Sequence, residues 1–101
     1  MGAWEFELAD EAVDRIARVL ERHPGGVFDA DALTELDHNA YAVRVCTRDA
    51  VCREQLGVIQ DRAAVYYSGR ARAAERLGRE IQRAIGALRA RLRELRSQEG
   101  R

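Results

Sequence analysis

All 17 basic residues of this 101-residue chain are arginines. A guanidinium presents five donors in a rigid fork that matches phosphate and carboxylate oxygens two at a time, so the chemistry on offer is recognition of anions. GC-rich coding would produce the same bias without any selection for that chemistry. The positions are more telling than the total. Residues 1–61 hold 6 Arg against 13 acidic residues, a balance of −7, whereas residues 62–101 hold 11 Arg against 4, a balance of +7, within a formal charge of zero. Such a division suits a basic surface for a polyanion, or a basic helix that docks on acidic protein, its own or a partner's.

Bond-making chemistry is poorly served. Cys46 and Cys52 are the only cysteines. Within one helix a separation of six would set them about 9 Å apart along the axis, on different faces, which cannot close a disulfide. With only His23 and His38 besides, no zinc spacing exists, and the thiols read as buried structural groups. His38 beside Asp37 reads as a solvated or capping pair. Thr47, Ser68 and Ser97 are isolated hydroxyls, and there is neither a phosphate-binding glycine loop nor a pair of carboxylates in an apolar setting. The chain reads as a non-enzyme without cofactor or metal. No run approaches the roughly 18–20 apolar residues of a membrane span, and the acidic start "MGAWEFELADE" lacks the features of a secretory signal, so a cytoplasmic protein with no membrane contact is expected.

The elements that must position the arginines begin with a short alternation, Trp4, Phe6 and Leu8, and a helix capped at Asp10 that carries Val13, Ile16, Ala17 and Leu20 inward. "HPGG" stops it. "VF" makes a brief strand, Asp29 caps a short second helix with Ala32, Leu33 and Leu36 inward, and "DHN" makes a turn. "AYAVRVCTRDAVCREQLG" satisfies two templates: one helix burying Ala42, Val45, Cys46, Cys52 and Leu56, or a strand over residues 41–46 with Thr47 capping a shorter helix. "VIQ" and "AAVYY" then flank "DRA" as a hairpin.

From Arg70 to Gln98 the series Ala71, Ala74, Gly78, Ile81, Ile85, Leu88, Leu92, Leu95 steps by threes and fours, a heptad seam. Its 29 residues make a rod of about 43 Å, which exceeds what a small body would cover. A parallel pair would oppose Arg91 with Arg96. An antiparallel pair instead sets Ile85 on Leu88, Ile81 on Leu92 and Gly78 on Leu95, and brings Glu75 near Arg96. The expectation is a homodimer seamed by Ile81, Ile85, Leu88, Leu92 and Leu95, with a helix folded back on its own domain as the alternative.

"RHPGGVFDADALTEL" resembles the first helix, short strand and second helix of a winged helix-turn-helix, and "LGVI" followed by "VYYS" resembles a third helix passing into the wing. "YYSGRARAAERLGREI" is similar to the wing and dimerisation helix of MarR- and PadR-type regulators, and to small archaeal winged-helix proteins that carry an antiparallel coiled coil. The likeness spans residues 10–98. It departs from the family where Asp49 and Glu54 dilute the basic recognition helix and where "DHNAYA" lacks the usual glycine and hydroxyl turn.

The resemblance implies a mainly α fold with a small β-wing: a winged helix-turn-helix over residues 1–69 and a dimerisation helix over residues 70–101. It implies a homodimer that binds double-stranded DNA in a sequence-dependent way, as a transcriptional regulator or architectural protein. Asn39, Tyr41, Arg44 and Arg48 would face the major groove, Arg62 would tip the wing, and Arg70 and Arg72 would follow on phosphates. Two other readings stay open. One is a protein-interaction or assembly module, using the basic heptad helix with an unknown protein partner and no DNA. The other is a ferredoxin-like body with "WEFEL", "VFDADALTEL", "YAVRVCT" and "AAVYY" as strands.

Overall fold

The computed structural model describes residues 2–99. They form α1 (Ala3–Arg22), α2 (Ala30–Cys46), α3 (Ala50–Tyr66) and α4 (Ala74–Glu99), and no strand or sheet is present among them. The winged helix, the β-wing and the ferredoxin-like alternative are therefore all overturned. The helices run up and down as a bundle measuring 46 × 21 × 19 Å, each packed on its two neighbours, with α1 against α2 and α3 against α4 the closest pairs.

α1 starts earlier than the alternation of Trp4, Phe6 and Leu8 suggests. Phe6, Ala9, Val13 and Ile16 already follow helical steps, so one helix buries Phe6 with the rest of the stripe. Asp10 lies inside it and is not a cap. The helix stops as expected at Arg22, where the His23 N–H bonds the Val19 carbonyl ahead of Pro24. Gly25 is required next, because any Cβ there would collide with the Tyr66 ring.

Asp29 caps α2: one carboxylate oxygen accepts from the Ala32 N–H at 2.9 Å, and the other meets His23 Nδ1 at 2.9 Å. That N-terminal hydrogen bond, aided by His23, holds the Asp29 carboxyl below its ordinary pKa. "DHN" does not turn. Leu36, Asn39, Ala40 and Val43 keep one buried stripe, and the Asn39 amide donates back to the Glu35 carbonyl at 2.9 Å, so the helix continues to Cys46.

The central segment is neither one helix nor a strand. Thr47 ends α2, its Oγ1 accepts from the Asp49 N–H at 3.1 Å, and Asp49 caps α3 by accepting from the Cys52 N–H at 3.0 Å. α3 then runs straight through the expected hairpin. "DRA" contains no glycine or asparagine to supply the positive φ of a tight hairpin turn, while Cys52, Leu56, Ile59 and Ala63 form a helical stripe that α4 covers. Packing overrides the β preference of "AVYY". The expected strand at "VF" reduces to an isolated antiparallel bridge between Phe28 and Ser68. Beside it, Gly69 sits at φ 79°, a backbone conformation that favours glycine.

α4 is the helix the heptad series predicts, but it begins at Ala74, leaving Arg70 and Ala71 in the link, and it has a different partner. Ile81, Ile85, Leu88 and Leu92 are all at most 3% exposed within this single chain, and Leu95 packs at the edge of the same core. The coiled-coil dimer is thereby corrected: α1 and α3 cover the seam. The length of the helix is no obstacle, because the body is itself a rod, as long as the helix it must cover. The buried cluster draws on all four helices and includes Phe6, Ile16, Leu36, Leu56, Ile59 and Tyr67.

Candidate functional site

The residues that the resemblance assigns to DNA do not converge. Asn39 is buried, its Oδ1 accepting from Arg15 Nε at 2.8 Å. Arg44 donates twice to the Gln60 side-chain Oε1, at 3.1 and 2.7 Å. Arg62 is not on a wing but in α3, ion-paired with Glu80 at 2.7 Å. Tyr41 is exposed on α2, and Arg48 in the α2–α3 link. Arg70 and Arg72 are exposed in the α3–α4 link, at the opposite end of the bundle from Arg48.

Much of the charge asymmetry is answered inside the chain. On α4, Arg96 reaches Asp10 at 3.4 Å and Arg89 reaches Asp14 at 3.1 Å, joining the acidic first helix to the basic last one. Arg91 grips Asp49 with two bonds, 3.0 and 2.9 Å, and also meets Glu94 at 3.0 Å. Arg91 beside Asp49, helped by the Cys52 N–H and opposed by burial, holds that carboxyl far below the usual range. The same contacts raise the Arg91 pKa, Asp49 first and Glu94 second.

Nucleophilic chemistry finds no support in the geometry. Burial, with Asp49 beside it, pushes the Cys52 thiol up to about 12. Burial and nearby Glu5 push the Cys46 thiol up as well. The two cysteines are free thiols on successive helices. Burial likewise raises Tyr67, whose hydroxyl donates to the His23 carbonyl at 3.1 Å. Among the described residues no three His, Cys, Asp or Glu side chains gather as a metal would need.

Two surfaces carry more than ordinary solvated polarity. The first is apolar. Trp4 is 70% exposed, Tyr41 65% and Val45 66%, with Leu8 at 36%. Trp4 and Leu8 are one turn apart on α1, as are Tyr41 and Val45 on α2. The antiparallel register that joins Arg15 to Asn39 brings Leu8 level with Val45, so both pairs belong to one end of the α1–α2 hairpin. An open groove of about 300 Å³, lined by Phe6, Thr47, Asp49, Leu95, Gln98 and Glu99, lies at that end.

The second surface is basic. Arg76, Arg79 and Arg83 follow one another by three and four, which sets them on one outward face of α4, opposite Ile81 and Leu88, and Arg72 precedes them in the α3–α4 link. All four are exposed. Phe28, 75% exposed, sits where the α1–α2 loop meets the link that leads into this face.

The sequence pointed to Tyr41 on the first surface and Arg72 on the second, but not to either surface as a whole. The signal for the first was an i, i+4 pair of large apolar residues on the polar side of each of two helices; for the second, arginines in phase with one another and out of phase with the heptad seam. No helix is long and apolar enough to cross a membrane among the described residues. No family model, curated protein or solved structure matches this chain.

Proposed function

We propose that the protein is an interaction module whose docking surface is the exposed apolar end of the α1–α2 hairpin. The observation that carries this reading is the solvent exposure of Trp4, Tyr41 and Val45 toward one end of the α1–α2 hairpin, on a bundle whose core buries Phe6, Ile16, Leu36 and Tyr67. A mostly bare Trp and Tyr, with Val45 and Leu8 exposed toward the same end, are the apolar side chains that contact sites use. Trp and Tyr are also the residues on which binding energy concentrates, because each desolvates a large area at little cost in rotamer entropy. The groove at this end and the one lined by Leu20, Tyr66 and Gln82 are both open to solvent, which suits a protein that presents faces to other proteins better than one that encloses a substrate.

The basic heptad helix serves this reading as scaffold, since its apolar seam closes the core. The test is a paired affinity capture with the wild-type chain and the Trp4→Glu, Val45→Glu double variant, both first shown to keep the same helical circular dichroism. A partner recovered stoichiometrically by the wild type and lost by the variant supports the reading. A partner retained by the variant, or none recovered by either, removes it.

A further inference from the structure

We propose that the outward face of the N-terminal half of α4, together with the Phe28 ring, is a binding site for single-stranded nucleic acid. This site lies apart from the apolar end of the α1–α2 hairpin and stands or falls independently of it. Arg76, Arg79 and Arg83 rise along one face of α4, about 10 Å from first to last at 1.5 Å per residue, and Arg72 stands just ahead of them in the link. The guanidinia therefore recur at roughly one per turn along a straight edge, an arrangement that tracks a linear series of phosphates.

Their charge is largely uncompensated. Arg72, Arg79 and Arg83 make no ion pair with the described residues, and Arg76 meets only Glu80, at 3.7 Å, a carboxylate that Arg62 already holds at 2.7 Å. Glu75, one turn before Arg79, lines one groove with it, Leu20 and Gln82, and makes no ion pair with it. Arg70, equally exposed, extends the basic edge toward Phe28.

Phe28 selects among polyanions. Its backbone is pinned by the bridge to Ser68, and the neighbouring Asp29 N–H bonds the Tyr67 carbonyl at 3.0 Å, so the ring is offered from a fixed base. Phe28, 75% exposed beside the link that carries Arg70 and Arg72, offers a stacking platform for an unpaired base. Paired bases keep their faces inside the duplex, and an acidic peptide has none, so single strands gain from both features and the alternatives from one.

The experiment is fluorescence anisotropy of the full chain with a labelled oligothymidylate of about 15 nucleotides. Expected is binding at low salt that weakens with a log–log slope of roughly −3, from about four phosphate contacts at −0.7 each. Arg79→Glu with Arg83→Glu, both on the exposed face, should weaken it at least about tenfold while leaving the circular dichroism unchanged. Phe28→Ala should weaken it by about fivefold or more, the lower end of one stacked base, without changing the salt slope. Absence of binding at low salt overturns the proposal, as does indifference to the paired arginine reversal. So does equal or tighter binding of a duplex of the same length, or equal competition by polyglutamate.

Discussion

Arg89, Arg91 and Arg96, in the C-terminal half of α4, each reach a carboxylate on another helix or link, whereas Arg72, Arg79 and Arg83, at and before its N-terminal half, reach none among the described residues. The residue type is the same, so the difference lies in what surrounds it. Near the C-terminal half, α1 supplies Asp10 and Asp14 and the α2–α3 link supplies Asp49. Antiparallel packing brings the last turns of α1 to the other half, and there the exposed residues include Arg18 and Arg22. An excess of one charge sign along a sequence can thus be a device for joining helices at one end of a bundle and an open surface at the other.

The two halves share one buried face, and its disruption should give the largest effect. Ile81→Ala in the first half and Leu88→Ala in the second each remove a fully buried side chain and should cost about 2–5 kcal/mol in urea unfolding. Because the seam closes within one chain, the midpoint should not depend on protein concentration. A midpoint that rises with concentration would restore a role for the seam between chains.

Asp49 should give the next largest effect, confined to the paired half. Its folded pKa lies below the unfolded value of about 3.9, so its contribution is fully present above about pH 4 and is lost as the pH falls through the folded value. Asp49→Asn keeps a competent cap but removes the charge that Arg91 grips. The variant should lose on the order of 2 kcal/mol at neutral pH and show a shallower acid limb than the wild type below pH 4. Parallel acid limbs in denaturant titrations at several pH values would show that the bidentate pair contributes nothing to folding.

How far these features can be read without the structure depends on how local their causes are. The Asp29 cap, the stop at "HPGG" and the helix from the mid-seventies onward follow from neighbouring residues, and each is legible. The partner of the Ile81 to Leu92 seam is not, because the shape of the remaining chain decides it. "VIQDRAAVYY" has strand-forming residues at its edges, yet Leu56, Ile59 and Ala63 set a stripe that only a neighbouring helix can cover. Trp4, Phe6 and Leu8 alternate as a strand would, but Phe6 belongs to the stripe of Ala9 and Val13 while Trp4 and Leu8 face out. Of the basic face, Arg70 and Arg72 were legible from the run of arginines after Tyr67; Arg76, Arg79 and Arg83 stand out only against the buried face opposite.

Charge reversal on the exposed surface should have the smallest effect and divides the two halves most directly. Arg89→Glu and Arg96→Glu each break an interhelical pair and set a glutamate against Asp14 or Asp10. These pairs are partly exposed, so about 0.2–1 kcal/mol of destabilisation is expected for each. Arg79→Glu and Arg83→Glu break no pair and should stay within about 0.5 kcal/mol of the wild type. Thermal or urea unfolding in about 0.05 M salt measures the gap, and raising the salt toward about 1 M should narrow it, since screening acts on the attraction and the new repulsion alike. If reversal in the N-terminal half destabilises as much as in the C-terminal half, then hidden partners restrain Arg79 and Arg83. In that case the basic face is part of the scaffold and not a surface held open for an anionic ligand.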